Sequence, residues 1–192
     1  MIWLRLCLSG LNYLIGLRGN NMVRIKKNLE IIVDTREQTG YVFEKYDDVD
    51  TVRKGLKTGD YSVVGYESLV GVERKNPMDA ISSVVSGRER FKREWVRGTK
   101  LLRFAIVIEC HMCDLKKYIT KQWKIINNTT LKKRKNKYRL YSQLKSVQNT
   151  YISWSAEFGV PVFFCKNAKE AEKVTYNFLK SFVKKYKKGE IK

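Results

Sequence analysis

A chain of 192 residues with 43% hydrophobic residues can bury a core and suits one domain, or one domain with an appendage. Its 39 lysines and arginines against 19 acids give a net charge of +20. That charge favours nucleic acid as a partner, ahead of an anionic membrane surface or a merely solubilising role. Four cysteines are too few for a disulfide scaffold and indicate a reducing compartment. That compartment would be the cytoplasm of a prokaryote, the host cytoplasm for a phage protein, or the nucleus of a eukaryote.

Residues 1–21 form an apolar extension in which Arg5 is the only charge before residue 18. The stretch is short and interrupted for a membrane span, and no usual cleavage site follows it as in a signal peptide. We favour a third interpretation, that translation starts at Met22. We therefore take residues 22–192 as the domain and expect no membrane partner.

The first predicted elements are a buried strand and a hairpin. Residues 29–34 are rich in β-branched residues and end on a carboxylate, as in a strand covered on both faces. Residues 60–64 alternate in polarity, and residues 69–75 return after a turn at 65–68. These two segments are predicted to pair as a hairpin.

Helices dominate the rest of the chain. Asn76 followed by Pro77 predicts a helix start, and Gly87 interrupts that helix. The later pattern predicts a central strand at 104–109, basic irregular sequence at 116–139, a helix at 140–158, a strand at 162–165 and a helix capped by Asn167 that runs to about residue 186. This order predicts an α/β fold with a mixed central sheet flanked by helices on both faces.

The hairpin carries the candidate chemistry. A four-residue loop puts Asp60 opposite Glu73, and strand alternation puts Lys75 on the same face as Glu73. Two facing carboxylates repel each other unless a cation such as Mg²⁺ lies between them. A lysine beside them can orient a water and stabilise charge on a phosphate, which suits phosphodiester hydrolysis. An odd-length loop would break this register, and a surface hairpin with scattered salt bridges remains the alternative.

Three motifs give this pattern a family resemblance. Asp60 with Glu73-Arg74-Lys75 resembles the core of the PD-(D/E)xK nucleases. More narrowly, residues 33–37 (VDTRE), 59–61 (GDY) and 73–79 (ERKNPMD) are similar to the XPF/Hef nuclease domain. The resemblance implies a restriction-endonuclease-like fold and a metal-dependent DNA endonuclease.

The resemblance also implies roles for individual residues. Asp60 and Glu73 would hold Mg²⁺ or Mn²⁺, with the main-chain carbonyl of Arg74 as a further candidate ligand. Lys75 would activate or position water. Asp34 would line the same cleft from the neighbouring strand.

The resemblance implies further roles for three other motif residues. Arg36 and Glu37 would support the cleft, with Arg36 near a phosphate. Asp79 is open to two interpretations: a catalytic acid, or an acid in the first helical turn that caps the helix and suits its dipole. We favour the capping role.

Basic residues outside the motifs are candidate DNA contacts. They are Arg88, Arg90, Lys92 and Arg93 after the first helix, and Lys132, Lys133, Arg134 and Lys135 within a basic insert at 127–139. A solvated basic face is the alternative for the first group. The insert is predicted to replace the helix-hairpin-helix modules of longer relatives, for which a chain ending at Lys192 has no room.

Three functions remain open from the sequence. The first is a structure-selective or nicking endonuclease of DNA repair or recombination, acting on flaps, forks or branched DNA. The second is a restriction-like or repair nuclease with another substrate. The third is a catalytically silent, basic nucleic-acid-binding protein of the same fold. The resemblance also implies a homodimer through the C-terminal helix, where Tyr176, Phe178, Phe182 and Tyr186 exceed the aromatic surface that one packing face needs.

Overall fold

The computed structural model describes residues 3–8, 11–18, 21–22, 28–127 and 134–192, with side chains at 28–121 and 138–192. Its main element is a six-stranded mixed sheet in the order β5-β4-β6-β7-β8-β9. The strands are β4 (Leu29–Val33), β5 (Val49–Arg53), β6 (Tyr61–Val63), β7 (Val70–Lys75), β8 (Arg103–Ile108) and β9 (Val162–Phe164). β6 is antiparallel to both of its neighbours, whereas the other neighbouring strands are parallel. The predicted mixed sheet is confirmed.

Helices cover both faces of this sheet, as predicted. They are α1 (Pro77–Val85), α2 (Arg88–Gly98), α3 (Leu115–Asn127), α4 (Arg134–Phe158) and α5 (Ala168–Lys187). Phe104, Ile106 and Ile108 of β8 join the buried cluster with α1–α4, whereas Ala105 and Val107 join the cluster with α5. Because side chains alternate along a strand, one apolar run serves both cores.

After β8 the sequence predicted α5 and the end of α4 correctly, but it missed α3 and placed the start of α4 too late. Residues 116–139 were expected to be irregular, but α3 covers much of this range and α4 begins at Arg134 instead of residue 140. Leu115 and Ile119 lie one helical turn apart and are fully buried in the cluster that α3 shares with α1 and α4. Because lysines surround these two apolar residues, the sequence shows no clear helical period there. β5 was also missed, because its alternating polar residues are typical of an edge strand.

The amino-terminal extension contains a separate three-stranded antiparallel sheet of β1 (Trp3–Leu8), β2 (Leu11–Arg18) and β3 (Asn21–Met22). In the described part of the chain, no helix is long and apolar enough to cross a membrane. A start at Met22 remains a prediction. In the basic insert, Lys132 and Lys133 lie outside the described residues, and only the backbone of Arg134 and Lys135 is described.

The aromatic residues of α5 pack largely within the chain. Tyr176 stacks on Tyr46 at 3.8 Å between ring centroids, and Tyr186 packs on Phe182 at 5.6 Å. Tyr176 and Phe182 are buried. The segment before β5 and the hairpin turn supply aromatic partners for the helix, so these two residues add little to the surface expected for a dimer, and the dimer stays a prediction.

The helix α2 lies unusually close to β8. A Cβ atom at Gly98 would lie 2.2 Å from the buried ring of Phe104, a distance that no side chain tolerates. Phe91 and Trp95 are buried on the same side of α2. Glycine at this position therefore sets the distance between helix and sheet.

Candidate active site

The turn into β6 fixes the position of Asp60. Gly59 has a φ of +79°, and a Cβ there would lie 3.0 Å from the carbonyl oxygen of Val72, so the position requires glycine. The Asp60 main-chain N–H donates to that same carbonyl at 2.8 Å. Tyr61 pairs with Val72, which is the register predicted from the four-residue loop. The hairpin thus brings Asp60 to the part of β7 that carries Glu73.

The Asp60 and Glu73 carboxylates form a half-buried acidic pair. Asp60 Oδ2 accepts the Arg74 main-chain N–H at 2.7 Å, and Glu73 Oε1 accepts the Lys75 ammonium at 2.7 Å. Burial, and then the charge of Glu73, raises the pKa of Asp60 to about 8. Burial likewise raises the pKa of Glu73. Two acids with raised pKa values in one cleft are typical of a functional site.

Lys75 lies between acids from two elements. Its Nζ is 2.7 Å from Glu73 and 3.4 Å from Glu94 of α2, and it lies 4.8 Å from the centre of the Phe91 ring. Burial alone would lower the pKa of Lys75, but the two carboxylates outweigh burial and raise it. The ammonium therefore stays charged in the cleft.

The raised pKa of Asp60 predicts how stability depends on pH without divalent ions. Between its ordinary pKa of 3.8 and about 8, the folded protein keeps a proton that the unfolded chain releases. Folding therefore becomes less favourable as pH rises through this range. Asp60→Asn removes this titration while keeping an acceptor for the Arg74 N–H. In urea denaturation with chelator at about pH 9, we expect the free energy of unfolding of the variant to exceed that of wild type by about 1–3 kcal/mol.

The same difference should vanish at about pH 4, where the carboxylate is protonated in the folded protein. Asp47→Asn is the matched control, because Asp47 is an exposed acid in the turn before β5, away from the acidic pair. Its stability should follow wild type at both pH values. A wild-type protein as stable as Asp60→Asn at about pH 9 would contradict the prediction.

Asp34 lies at the end of β4 and is fully buried. Its carboxylate accepts hydrogen bonds from Arg36 (N at 2.8 Å, Nε at 2.7 Å and Nη2 at 3.2 Å) and from the Leu56 N–H at 2.6 Å. Burial would raise the pKa of Asp34, but these hydrogen bonds outweigh burial and lower it. The arrangement anchors Arg36, whose side chain is 73% exposed. The pKa of Arg36 is raised by Asp34 first and also by the charges of Asp60 and Glu73.

Arg74 points to the opposite face of the sheet, as strand alternation predicted. Its guanidinium contacts Glu109 at 2.7 Å and Glu37 at 2.9 Å, and it lies over the Tyr41 ring at 5.2 Å. Tyr41 also donates its hydroxyl to Glu109 at 2.9 Å. The predicted supporting residue Glu37 thus reaches β7 through Arg74, and Glu109 joins from the residue directly after β8.

Asp79 lies in the first turn of α1, and its side chain is exposed. The Asn76 side chain accepts the main-chain N–H groups of Met78 and Asp79 at 2.9 Å, and its amide donates to the Asp79 carboxylate. This geometry is that of a helix cap. A catalytic role for Asp79 remains a prediction without a contact that favours it over capping.

The predicted DNA contacts on α2 lie in different surroundings. Arg88 donates to Thr150 at 2.8 Å and lies over the Trp154 ring, so it joins α2 to α4. Lys92 pairs with Glu157 at 3.5 Å. Arg90 and Arg93 are exposed, as is Arg97, whose charge lowers the pKa of Glu73 against the effect of burial.

A groove of about 1040 Å³ does not hold the acidic pair. It runs between the end of α1 and α4, and its polar lining includes Arg88, Arg139, Ser146, Asn149 and Thr150. The acidic pair lies instead where β6 begins and β7 approaches its end. The volume of a groove alone therefore does not identify the candidate active site.

The acidic pair suits a small hard cation better than a closed metal centre. Among the described residues, no group of three or more His, Cys, Asp or Glu side chains could hold a metal ion. Within that same part of the chain, no hydrogen bond ends on Asp60 Oδ1 or Glu73 Oε2. Mg²⁺ typically takes one or two carboxylates and keeps several waters, so this donor set fits it.

Sequence reasoning missed two residues of this region. Glu109 is the last residue of the strand predicted at 104–109, and an acid at the end of a central strand is a usable signal. The spacing of Glu94 from Arg90 and Phe91 places the three residues on one side of α2. The sequence does not show which residues that side of the helix contacts. Only the position of α2 against β7 brings Glu94 to Lys75.

Comparisons with known proteins identify the family and the fold of this chain. Residues 33–178 match the ERCC4 domain, which covers more than half of the chain. The structure is similar to XPF from Aeropyrum pernix in complex with DNA, with a TM-score of 0.55 and 18% identity over 82% of this chain. A second structure of XPF from Aeropyrum pernix gives a TM-score of 0.52 and 18% identity over 79%. The chain spans 66% and 60% of the length of those two proteins. No curated protein matches it. The chain therefore belongs to the ERCC4 domain family and has the XPF-type nuclease fold that its motifs predicted.

Proposed function

We propose that this chain is a divalent-metal-dependent DNA endonuclease that hydrolyses phosphodiester bonds. The observation that carries the proposal is the acidic pair of Asp60 and Glu73 with the Lys75 ammonium 2.7 Å from Glu73. Facing carboxylates with raised pKa values are costly unless a cation offsets their repulsion. A purely structural hairpin would gain nothing from keeping them together.

In this proposal each residue has a separate task. Asp60 and Glu73 hold Mg²⁺ or Mn²⁺, which when bound polarises a phosphoryl oxygen and makes a water more acidic. Lys75 holds a positive charge beside the reacting phosphate and orients the attacking water. Arg36, anchored by Asp34, offers an exposed guanidinium to a neighbouring phosphate. Asp34 thus contributes by holding Arg36.

DNA is the proposed substrate. The net charge of +20 favours a polyanion, and the related Aeropyrum protein is described in complex with DNA. Arg90 and Arg93 add exposed cations on α2. We propose a preference for flap, fork or branched DNA and a role in repair or recombination by analogy with the XPF/Hef family.

The proposal is tested by cleavage of a panel of labelled DNA structures with increasing Mg²⁺ or Mn²⁺. We expect cleavage that depends on the divalent ion and stops with chelator, with branched substrates cut faster than plain duplex. Cleavage of duplex and branched DNA at equal rates would remove the structural preference. Tight DNA binding without cleavage under any divalent ion would instead identify a silent binding protein of the same fold.

The basic insert is expected to set affinity without setting chemistry. Neutralising Lys132, Lys133, Arg134 and Lys135 to Gln should weaken binding to all DNA sequences alike. For every DNA phosphate that the variant no longer neutralises, the log–log dependence of affinity on salt should flatten by about 0.9 on duplex DNA. The measurement is binding over a salt series, together with the single-turnover cleavage rate at saturating DNA, which should stay close to wild type.

A variant with the same loss of charge elsewhere provides the control. Lys166, Lys169, Lys173 and Lys184 are exposed on α5 or just before it, on the sheet face opposite α1–α4. Their replacement by Gln should leave the salt slope nearly unchanged. Equal slopes for both quadruple variants would mean that affinity follows net charge alone.

We also propose a homodimer through α5, by analogy with the family. A groove of about 410 Å³ lies beside α5, and its lining includes Phe163, Phe178 and Ile191. Because β9 is the edge strand there, this side offers apolar surface next to an unpaired sheet edge. Sedimentation at micromolar concentration, with and without DNA, tests the proposal, and monomer under both conditions would contradict it.

A further inference from the structure

Glu94 reaches the candidate active site from a helix that carries none of the three sequence motifs. Its Oε2 is 3.4 Å from the Lys75 ammonium, and its side chain is 21% exposed. The other carboxylate on this ammonium is Glu73 at 2.7 Å, and the Phe91 ring lies 4.8 Å away. Lys75, which is 9% exposed, is therefore held by one acid of β7 and one acid of α2.

The two acids are not equivalent. Under the proposed function, on which this inference rests, Glu73 both binds the cation and pairs with the Lys75 ammonium. A cation at Glu73 repels the ammonium, and a lysine side chain has a flexible four-carbon stem. A second acid that does not hold the cation keeps the ammonium in place.

We propose that Glu94 is a positioning residue, which holds the Lys75 ammonium beside the reacting phosphate while Glu73 serves the cation. Its own helix is fixed by buried Phe91 and Trp95 and by the close approach of Gly98 to Phe104. The helix that carries Glu94 is thus packed closely against the sheet that carries Lys75.

Two other roles for Glu94 fit the geometry less well. A surface pair with Arg90 has its closest atoms 3.9 Å apart, and the Arg90 side chain is 73% exposed, so such a pair contributes little. A third metal ligand is disfavoured because the described residues hold no group of three acids that could bind a metal ion. The contact with Lys75 is the closer one and the more buried.

The test compares Glu94→Gln with Glu89→Gln, which removes the same charge from an exposed position on the same helix. Glu94→Gln should lower kcat by about 10- to 100-fold with little change in KM for DNA. Glu89→Gln should cleave like wild type. Both variants should be compared at equal folded concentration, with thermal unfolding as the check on folding.

A second readout does not depend on cleavage. In the metal-free protein the Lys75 ammonium should exchange its protons slowly enough to give a ¹⁵N-detected NMR signal, assigned by its absence in Lys75→Met. Glu94→Gln should broaden or remove this signal, whereas Glu89→Gln should retain it.

The outcomes separate this inference from the proposed function. A signal unchanged in Glu94→Gln overturns the positioning role, whatever happens to cleavage. A kcat equal to that of Glu89→Gln overturns it as well. A third outcome is that the wild-type protein cuts no DNA, yet Glu94→Gln still loses the signal. That result supports the ion pair and rejects the nuclease function.

Discussion

Asp60→Asn and Glu73→Gln should each lower DNA cleavage by at least about a hundredfold while leaving DNA binding intact. Each variant keeps the shape of the side chain but removes the charge that a divalent cation requires. Binding is spread over many lysines and arginines, and it should tighten slightly once an acid facing the phosphates is gone. Lys75→Ala should also stop turnover, yet metal affinity should change little because an ammonium is not a ligand.

Three separate measurements on each purified variant check this prediction: divalent-ion binding by calorimetry, DNA binding, and cleavage at saturating DNA. Asp79→Asn is an informative comparison, because the carboxylate of Asp79 contacts the helix cap. If Asp79 only caps α1, this variant should cleave within about tenfold of wild type. Near-normal cleavage by Glu73→Gln would falsify the assignment of the active site.

Arg74→Ala should have its largest effect on stability. The Arg74, Glu37 and Glu109 side chains are all at most 14% exposed, and the guanidinium joins the two acids. Removing it leaves two buried carboxylates without their cation, which typically costs about 3–5 kcal/mol. Arg74→Lys should recover only part of this stability, because an ammonium lacks the planar fork that reaches both acids.

Urea denaturation gives the free energy of unfolding for each variant. Lys54→Ala is the matched control, because its ion pair with Glu67 is exposed, and its effect should stay within about 0.5 kcal/mol. Folded Arg74→Ala should still cleave within about tenfold of wild type, since its side chain lies on the face opposite Glu73. Loss of cleavage without loss of stability would contradict this division of roles.

Local rules explain why the hairpin and its acids were predictable. A four-residue turn at 65–68 fixes the parity of pairing, so Asp60 and Glu73 fall together once both strands are recognised. Asn76 before Pro77 fixes the start of α1 through its cap. Each inference uses residues close together in the chain and depends little on the rest of the fold.

The missed features depend on contacts between distant segments. The Asp34 carboxylate accepts the N–H of Leu56, 22 residues away, and no local pattern shows this. Glu109 meets Arg74 only because β8 lies parallel to β7. α3 was missed for a different reason, since its few buried residues lie among lysines that conceal the helical period.

The absence of a side chain at Gly98 has a consequence for how variation in this chain is interpreted. Gly98 is uncharged and lies one helical turn after Glu94, yet any larger residue would push α2 away from the Phe104 ring. Glu94 would move with the helix, and Lys75 would then keep only one of its two acids. A substitution such as Gly98→Ala would reproduce the phenotype of an active-site variant in a protein whose charged residues are all intact. Genetic screens for loss of function should therefore recover Gly98 alongside the acids themselves.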